Sequence, residues 1–159
     1  MELRDPRNRV SPRARFLWAA EAVVQLVVVI AVLIVVTGPW DWFPMPWWAW
    51  LAVIVVGLGY AITMPTVRYV VHRWETTPTA VYTQSGWLRR ERRIAPLSRV
   101  QTIDFEQGAL SRALRLANVR VTTASAAGPV KIKCVERYVA DEIVADLTER
   151  TAATTGDAT

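Results

Sequence analysis

The sequence has one cysteine and one histidine, and these two scarcities exclude most metal and nucleophilic chemistry. A single cysteine, Cys134, cannot form an intramolecular disulfide or a cysteine-based metal site. A single histidine, His72, is too few for catalytic mechanisms that need paired histidines. The chain also has no glycine-rich phosphate loop, no G-x-S-x-G motif and no H-E-x-x-H motif. The sequence therefore predicts no catalytic residue, no metal site and no cofactor.

Charge is nearly absent from two stretches in the first half of the chain. The run from residue 17 to 36 has only Glu21 and Gln25 among apolar residues, and the run from 47 to 64 has no charged residue. Roughly twenty helical residues, rising roughly 1.5 Å each, cross a hydrocarbon core of about 30 Å. We predict two transmembrane helices, the second ended or kinked by Pro65.

The distribution of arginine predicts the orientation of these helices. Five arginines precede the first helix, whereas the connecting loop carries one charged residue, Asp41. Because positive residues collect on the cytoplasmic side of spanning helices, both termini are predicted to be cytoplasmic. A secretory signal is the alternative for the N-terminal run, but the run is long for a signal core and no small-x-small cleavage site follows Val36.

Aromatic side chains cluster near the predicted ends of both helices, as is typical of rings that lie among lipid headgroups. A ligand cage outside the membrane is the alternative for the tryptophans of the loop. Glu21 is an ionisable residue inside a span, which is a possible sign of ion or proton transfer, but it lies close enough to the cytoplasmic end to reach the interface. The predicted interface residues are Trp18, Trp40, Trp42, Trp47, Trp48, Trp50, Tyr69 and Trp74.

From about Arg68 the apolar residues alternate with polar ones, as in half-buried strands. The clearest alternation, from Val130 to Cys134, places Lys131 and Lys133 on one face of a strand. Strands are predicted at residues 80–83, 87–94, 100–105, 119–123 and 130–134, with a turn at Ser85-Gly86, a short helix or turn near 110–116 and an amphipathic helix at 136–150.

A domain of roughly eighty residues buries little surface, so a closed or nearly closed antiparallel sheet capped by the last helix would be economical. The predicted fold class is thus membrane-anchored α+β. The predicted divisions are a basic N-terminal segment (1–15), a membrane portion (16–67) with helices at 17–36 and 47–65 and an outer loop at 37–46, a cytoplasmic domain (68–150) and a disordered tail (151–159).

One stretch of the chain resembles a known family. The run Ile94-Ala95-Pro96-Leu97-Ser98-Arg99-Val100-Gln101-Thr102-Ile103, then Glu106-Gln107-Gly108, Leu110-Ser111-Arg112-Ala113-Leu114 and Val119-Arg120-Val121-Thr122-Thr123-Ala124, resembles the bacterial pleckstrin-homology-like (YdbS-like) membrane proteins. The resemblance covers residues 15–148. It implies a bent antiparallel barrel or sandwich with a C-terminal capping helix, a bacterial cell membrane location and no catalytic residues. Arg115 departs from the pattern, since members often have glycine there.

Basic residues are the best candidates for a binding site. Between Arg68 and Arg150 the chain has fourteen lysines and arginines against nine aspartates and glutamates. Strand alternation prevents the four arginines near residue 90 from forming one flat patch unless a bulge or the barrel rim turns them. A solvated edge that discourages strand pairing is the alternative. The candidates for binding lipid or a partner are Arg89, Arg90, Arg92, Arg93, Lys131 and Lys133.

We therefore predict a non-enzymatic, membrane-anchored interaction module that binds protein partners, anionic lipid headgroups or both. The partners are expected to be membrane lipids and another membrane protein or a second copy of the chain, and no nucleic acid is expected. The alternative is a subunit of a membrane enzyme or transport complex that uses Glu21 or the pair Asp104 and Glu106. A structural protein that acts only as an oligomer is a third possibility.

Overall fold

The computed structural model describes residues 5–38, 45–124 and 128–156. The chain divides into two compact units. The helical unit runs from Arg15 to Val67, and the sheet unit joins the chain up to Ala14 with the chain from Arg68 onward. The sheet unit is therefore assembled from residues on both sides of the helical unit in the sequence.

Two long helices account for the first half of the chain. Helix α1 spans Ala14–Thr37 and helix α2 spans Trp47–Val71. Both are long and apolar enough to cross a membrane, and most of their large apolar side chains are exposed. An apolar surface that is not buried within the chain suits a lipid environment.

The two helices pack antiparallel within the helical unit. A cavity of about 390 Å³ is lined by Ala22 with Tyr60 at one end and by Val29 with Val53 at the other. Gly57 permits the close approach of α1 and α2, because a Cβ atom there would collide with a side chain of α1.

Pro65 is predicted to end or kink the second helix, and the first alternative is wrong because Pro65 lies inside α2. Proline lacks a backbone N–H and removes one helical hydrogen bond. On either side of it, Thr63 Oγ1 donates to Gly59 O at 2.8 Å and Thr66 Oγ1 donates to Ile62 O at 3.1 Å. Bonds of this kind help helices in lipid to tolerate proline, and α2 continues to Val71.

The sheet unit begins with a four-stranded antiparallel sheet in sequence order. Its strands are β1 (Asn8–Arg9), β2 (Arg73–Thr76), β3 (Ala80–Gly86) and β4 (Arg90–Pro96). The prediction of a separate N-terminal segment over residues 1–15 is wrong for β1, since Asn8 pairs with Trp74. The backbone N–H of Ser11 also donates to Cys134 O at 2.9 Å, so this segment is held at two places.

The turn between β3 and β4 lies later than predicted. Strand β3 includes Ser85 and Gly86, and the turn is formed by residues 87–89. Gly86 has φ +138°, and a Cβ atom there would collide with Arg89 O, so glycine is required for the tight turn. Arg89 therefore lies in the turn and β4 starts at Arg90.

A three-stranded antiparallel sheet follows a 3-10 helix at Leu97–Arg99. Its strands, in spatial order, are β5 (Val100–Glu106), β6 (Leu116–Thr123) and β7 (Val130–Glu136), and the short helix α3 (Ala109–Ala113) joins the first two. Arg115, in the turn before β6, has φ +56°, which suits glycine better than arginine.

A bulge in β7 ends the alternation of buried and partly exposed residues after Cys134. Cys134 has φ +54°, and its backbone N–H donates to Asn118 Oδ1 at 2.8 Å. The pairing register shifts at this point, so Cys134 and Val135 are both buried although they are neighbours. The predicted alternation from Val130 to Cys134 is confirmed, and it ends at Val135.

Helix α4 (Arg137–Gly156) covers the core of the sheet unit. Its side chains Ala140, Ile143 and Leu147 belong to one cluster with buried residues of both sheets, such as Val81 and Ile132. The predicted architecture, in which antiparallel strands are followed by a capping helix, is confirmed.

The predicted disordered tail over residues 151–159 is wrong for residues 151–156, which continue α4. Thr151 Oγ1 donates to Leu147 O at 2.7 Å in the added turn. The last three residues of the tail lie outside the described residues.

Candidate anion-binding cleft

Two of the six predicted basic residues lie at the exposed tip of the β3–β4 hairpin. Arg89 is in the turn and Arg90 begins β4, and both side chains are exposed. In the part of the chain that the structure describes, neither takes part in an ion pair. Their charges are therefore open to a ligand from solution.

Arg92 and Arg93 are held by other groups of the sheet unit. Arg92 donates from Nε to Gln84 Oε1 at 2.9 Å and pairs with Asp5. Arg93 donates to Glu91 Oε1 at 2.6 Å and to Pro129 O at 3.2 Å. They extend from opposite faces of β4, as predicted from alternation, but β4 is an edge strand, so both reach the same rim.

At this rim a cleft of about 400 Å³ brings Arg92 and Arg93 together with Arg99. Arg99 is exposed, at the end of the 3-10 helix, and none of the ion pairs among the described residues involves it. No aspartate or glutamate is among the described lining residues. The rest of the lining is Ile94, Pro96, Thr123, Gly128 and Val130.

The cleft is suited to a phosphate or another anion. Guanidinium groups donate in a planar fork that matches phosphate oxygens, and such charged hydrogen bonds are the strong ones. Hydrogen bonds from Arg92 to Gln84 and from Arg93 to Pro129 orient two of the three groups before any ligand binds. Sequence reasoning missed Arg99 as a site residue because the chain turns at Pro96, and the turn places Arg99 beside β4.

The lysine candidate Lys131 lies on a different surface, where its charge is balanced. Glu106 of β5 pairs with Arg120 of β6 and lies 3.7 Å from Lys131 Nζ of β7. One carboxylate thus bridges three strands. The predicted alternative, a catalytic pair of Asp104 and Glu106, conflicts with this role, because Glu106 is already engaged by two cations.

Lys133 lies close enough to the buried His72 to contribute to its electrostatics. His72 is 3% exposed, and its Nδ1 lies 2.8 Å from Arg68 O. The pKa of His72 is lowered from 6.5 to about 4, mainly by burial and to a smaller extent by the positive charges of Arg68 and Lys133, while the hydrogen bond to Arg68 O opposes the shift. His72 is therefore neutral at pH 7.

A second cavity, of about 520 Å³, lies along the N-terminal segment. Its charges are matched, because two arginines, Arg7 and Arg9, line it against Glu136 in the lining and Glu75, which pairs with Arg7 at 3.7 Å. It is therefore a weaker candidate for an anion than the arginine cleft.

The predicted interface aromatics have different places. Trp47 and Trp48 are exposed at the start of α2. Trp74 packs against the core of the sheet unit, and this packing accounts for an aromatic residue at that position without a contact to lipid. Trp18 lies in α1, and Trp50 and Tyr69 lie in α2, while Trp40 and Trp42 fall outside the described residues. Glu21 is exposed on the surface of α1.

Comparison with known proteins gives two similarities. A family model described as Bacterial PH domain matches residues 14–151, a range that includes both helices and strands β2 to β7. The chain is also 31% identical over 130 residues to the UPF0699 transmembrane protein YdbS of Bacillus subtilis (strain 168), and the alignment covers 76% of this chain and 78% of that protein. No solved structure gives a significant match.

Proposed function

The chain is a membrane protein of the Bacterial PH domain family, and on that basis we propose that it is a non-enzymatic module that binds anionic phospholipid headgroups. The ligand-binding site in this proposal is the cleft formed by Arg92, Arg93 and Arg99. The single observation that carries it is the convergence of three guanidinium groups on a cleft of about 400 Å³ without a carboxylate in its described lining.

Because the sheet unit is connected directly to a predicted membrane helix, weak binding of lipid headgroups is enough to keep the site occupied. Only His72 separates the end of α2 from the start of β2. A site tethered beside its ligand experiences a high effective concentration, so each headgroup contact can be weak and still be occupied. Each basic residue near an anionic surface contributes about 1 kcal/mol, less at high salt.

The proposal includes two spans with both termini in the cytoplasm. Arginines of the N-terminal segment precede α1, and arginines of the sheet unit follow α2. The loop between the helices has one charged residue, Asp41. This distribution supports a cytoplasmic sheet unit through the preference of positive residues for that side. The engagement of Glu106 by two cations supports a binding role over an enzymatic one.

The test is lipid retention by the full chain, measured by native mass spectrometry after release from nanodiscs of phosphatidylglycerol and phosphatidylcholine. The full chain is needed because β1 comes from residues before α1 and pairs with β2. Arg99→Glu changes the local charge by two units, about 2 kcal/mol, so phosphatidylglycerol retention should fall roughly thirtyfold.

The matched control is Arg112→Glu, which makes the same charge change on the exposed surface of α3. Retention should stay near wild type in this variant. Equal retention of the two lipids by the wild-type protein, or equal losses in both variants, would contradict the proposal. The search would then turn to protein partners crosslinked to the chain in its membrane.

A further inference from the structure

The tip of the β3–β4 hairpin exposes an apolar side chain between basic ones. Leu88 is 89% exposed, more than any other large apolar side chain among the described residues. Arg89 and Arg90 follow it directly, and both are exposed. The nearest carboxylate along the strand, Glu91, is engaged by Arg93. Such a leucine loses no contact with the protein core if it enters another phase.

The tip is held in one place by the backbone. Gly86 pairs with Arg90 across the turn, and the positive φ of Gly86 is required because a Cβ atom would collide with Arg89 O. Only residues 87–89 lie outside the ladder. A short, fixed turn presents Leu88 with little conformational entropy left to lose on binding.

We propose that this hairpin tip inserts Leu88 into the interfacial region of an anionic bilayer, with Arg89 and Arg90 contacting lipid phosphates. The inference rests on the proposed function in that both require an anionic bilayer to face the sheet unit. Arg90 and Arg92 are two residues apart on β4 and so lie on the same face of the strand, about 7 Å apart at a strand rise of roughly 3.3 Å per residue. Tip and cleft can therefore engage the same lipid surface.

A bilayer fits this tip better than a protein does. Apolar and cationic groups are arranged in the order that a bilayer presents, hydrocarbon beneath a layer of phosphates. A stable protein interface buries at least about 1,000 Å² in total, far more than one leucine and two arginines offer. One buried leucine and two phosphate contacts are, by contrast, typical of an orienting contact with a membrane.

The test places an environment-sensitive fluorophore at the tip of the full chain. Leu88→Cys is labelled with a nitrobenzoxadiazole dye and reconstituted in nanodiscs of phosphatidylcholine with and without phosphatidylglycerol. Cys134 is buried, and the wild-type chain carried through the same labelling gives its background. The matched control is Glu142→Cys, on the exposed face of α4.

Insertion predicts a blue-shifted emission at position 88 in anionic discs, quenched by lipids that carry a nitroxide near the headgroup. Position 142 should show neither effect, and Arg89→Glu with Arg90→Glu should abolish the shift at position 88. An aqueous emission at position 88 in anionic discs would overturn the inference, as would quenching equal to that at position 142.

Failure of this inference can be separated from failure of the proposed function. If the tip stays in water while phosphatidylglycerol retention still depends on Arg99, the cleft binds lipid without the tip. If retention does not depend on Arg99 either, the proposed function fails as well. A blue shift that survives Arg99→Glu would show that the tip inserts independently of the cleft.

Discussion

Two basic surfaces of the sheet unit differ in how their charges are balanced. On the rim of the four-stranded sheet, five arginines face two paired carboxylates, Asp5 and Glu91. On the three-stranded sheet, Arg120 and Lys131 share Glu106, and Asp104 lies opposite Arg120 in the ladder. The rim therefore keeps an excess of positive charge, and the other surface does not.

The position of the carboxylates therefore decides which basic residues keep an unbalanced positive charge. Lys131 and the arginines of β4 carry the same charge, and the sequence alone does not distinguish them. In the fold, however, Glu106 lies close enough to balance the charge of Lys131 from two strands away. No carboxylate among the described residues does the same for Arg99. Of the four predictions that follow, one removes the balance from the Glu106 surface, one increases the excess on the rim, and two concern residues outside both surfaces.

The largest expected effect concerns His72, which burial keeps neutral. Because the pKa of His72 is about 4 in the folded chain and about 6.5 when unfolded, the unfolded chain binds a proton between these values that the folded chain excludes. Stability should be unaffected above pH 6.5 and fall by about 3 kcal/mol as the pH drops towards 4.

Thermal unfolding of the full chain in neutral detergent, followed by near-ultraviolet circular dichroism, checks this slope. His72→Gln is the control, since it removes the titrating group and should flatten the dependence in this window. A slope that persists in His72→Gln would assign it to other groups.

The second prediction breaks the balance of the Glu106 surface. Glu106→Gln leaves Arg120 and Lys131 without their shared carboxylate, and partial exposure limits the loss of stability to about 1 kcal/mol. The same change should create a second anion-binding surface and increase phosphatidylglycerol retention. Asp104→Asn is the comparison, because it removes the same charge from β5 without breaking those pairs. Equal increases in both variants would mean that net charge alone matters.

The third prediction increases the excess of positive charge on the rim. Asp5→Asn releases Arg92 from its ion pair and adds one unit of positive charge beside the cleft. At about 1 kcal/mol per charge, phosphatidylglycerol retention should rise about fivefold or less at physiological salt. Asp141→Asn, on the exposed surface of α4, has the same net charge and should leave retention near wild type.

The smallest effect is expected at Arg115, which contributes to neither surface. Its φ of +56° is strained for arginine, so Arg115→Gly should stabilise the sheet unit by about 0.5–1 kcal/mol. Arg115→Ala removes the same charge but keeps the strain, and it should give no such gain in thermal unfolding. A gain in both variants would point to charge instead of backbone geometry.

Much of this fold could be predicted from local patterns. The two apolar runs, the alternation of β5 to β7 and the helical spacing before Leu147 each identify an element, and the resemblance to the pleckstrin-homology-like family is confirmed. Strand β1 could not be predicted from local patterns, because a two-residue strand is too short to show an alternation. Its partner residues, Trp74 and Arg73, are also far away in the sequence.

The candidate site was predicted only in part for a related reason. The arginines near residue 90 stand out as a cluster in the sequence, but the neutralisation of Lys131 depends on strand pairing across three strands. Arg99 joins Arg92 and Arg93 only because the chain turns at Pro96 into a 3-10 helix. Both arrangements depend on tertiary structure, and no residue spacing in the sequence indicates them.

The most direct test of the difference between the two surfaces is hydrogen exchange of the full chain in nanodiscs with and without phosphatidylglycerol. We expect anionic lipid to slow exchange in residues 90–100, at the rim, and to leave unchanged the residues around Glu106, Arg120 and Lys131, at 104–106, 118–121 and 131–133. Slower exchange on both surfaces, or on neither, would contradict the claim that the unbalanced arginines of the rim form the lipid-binding site.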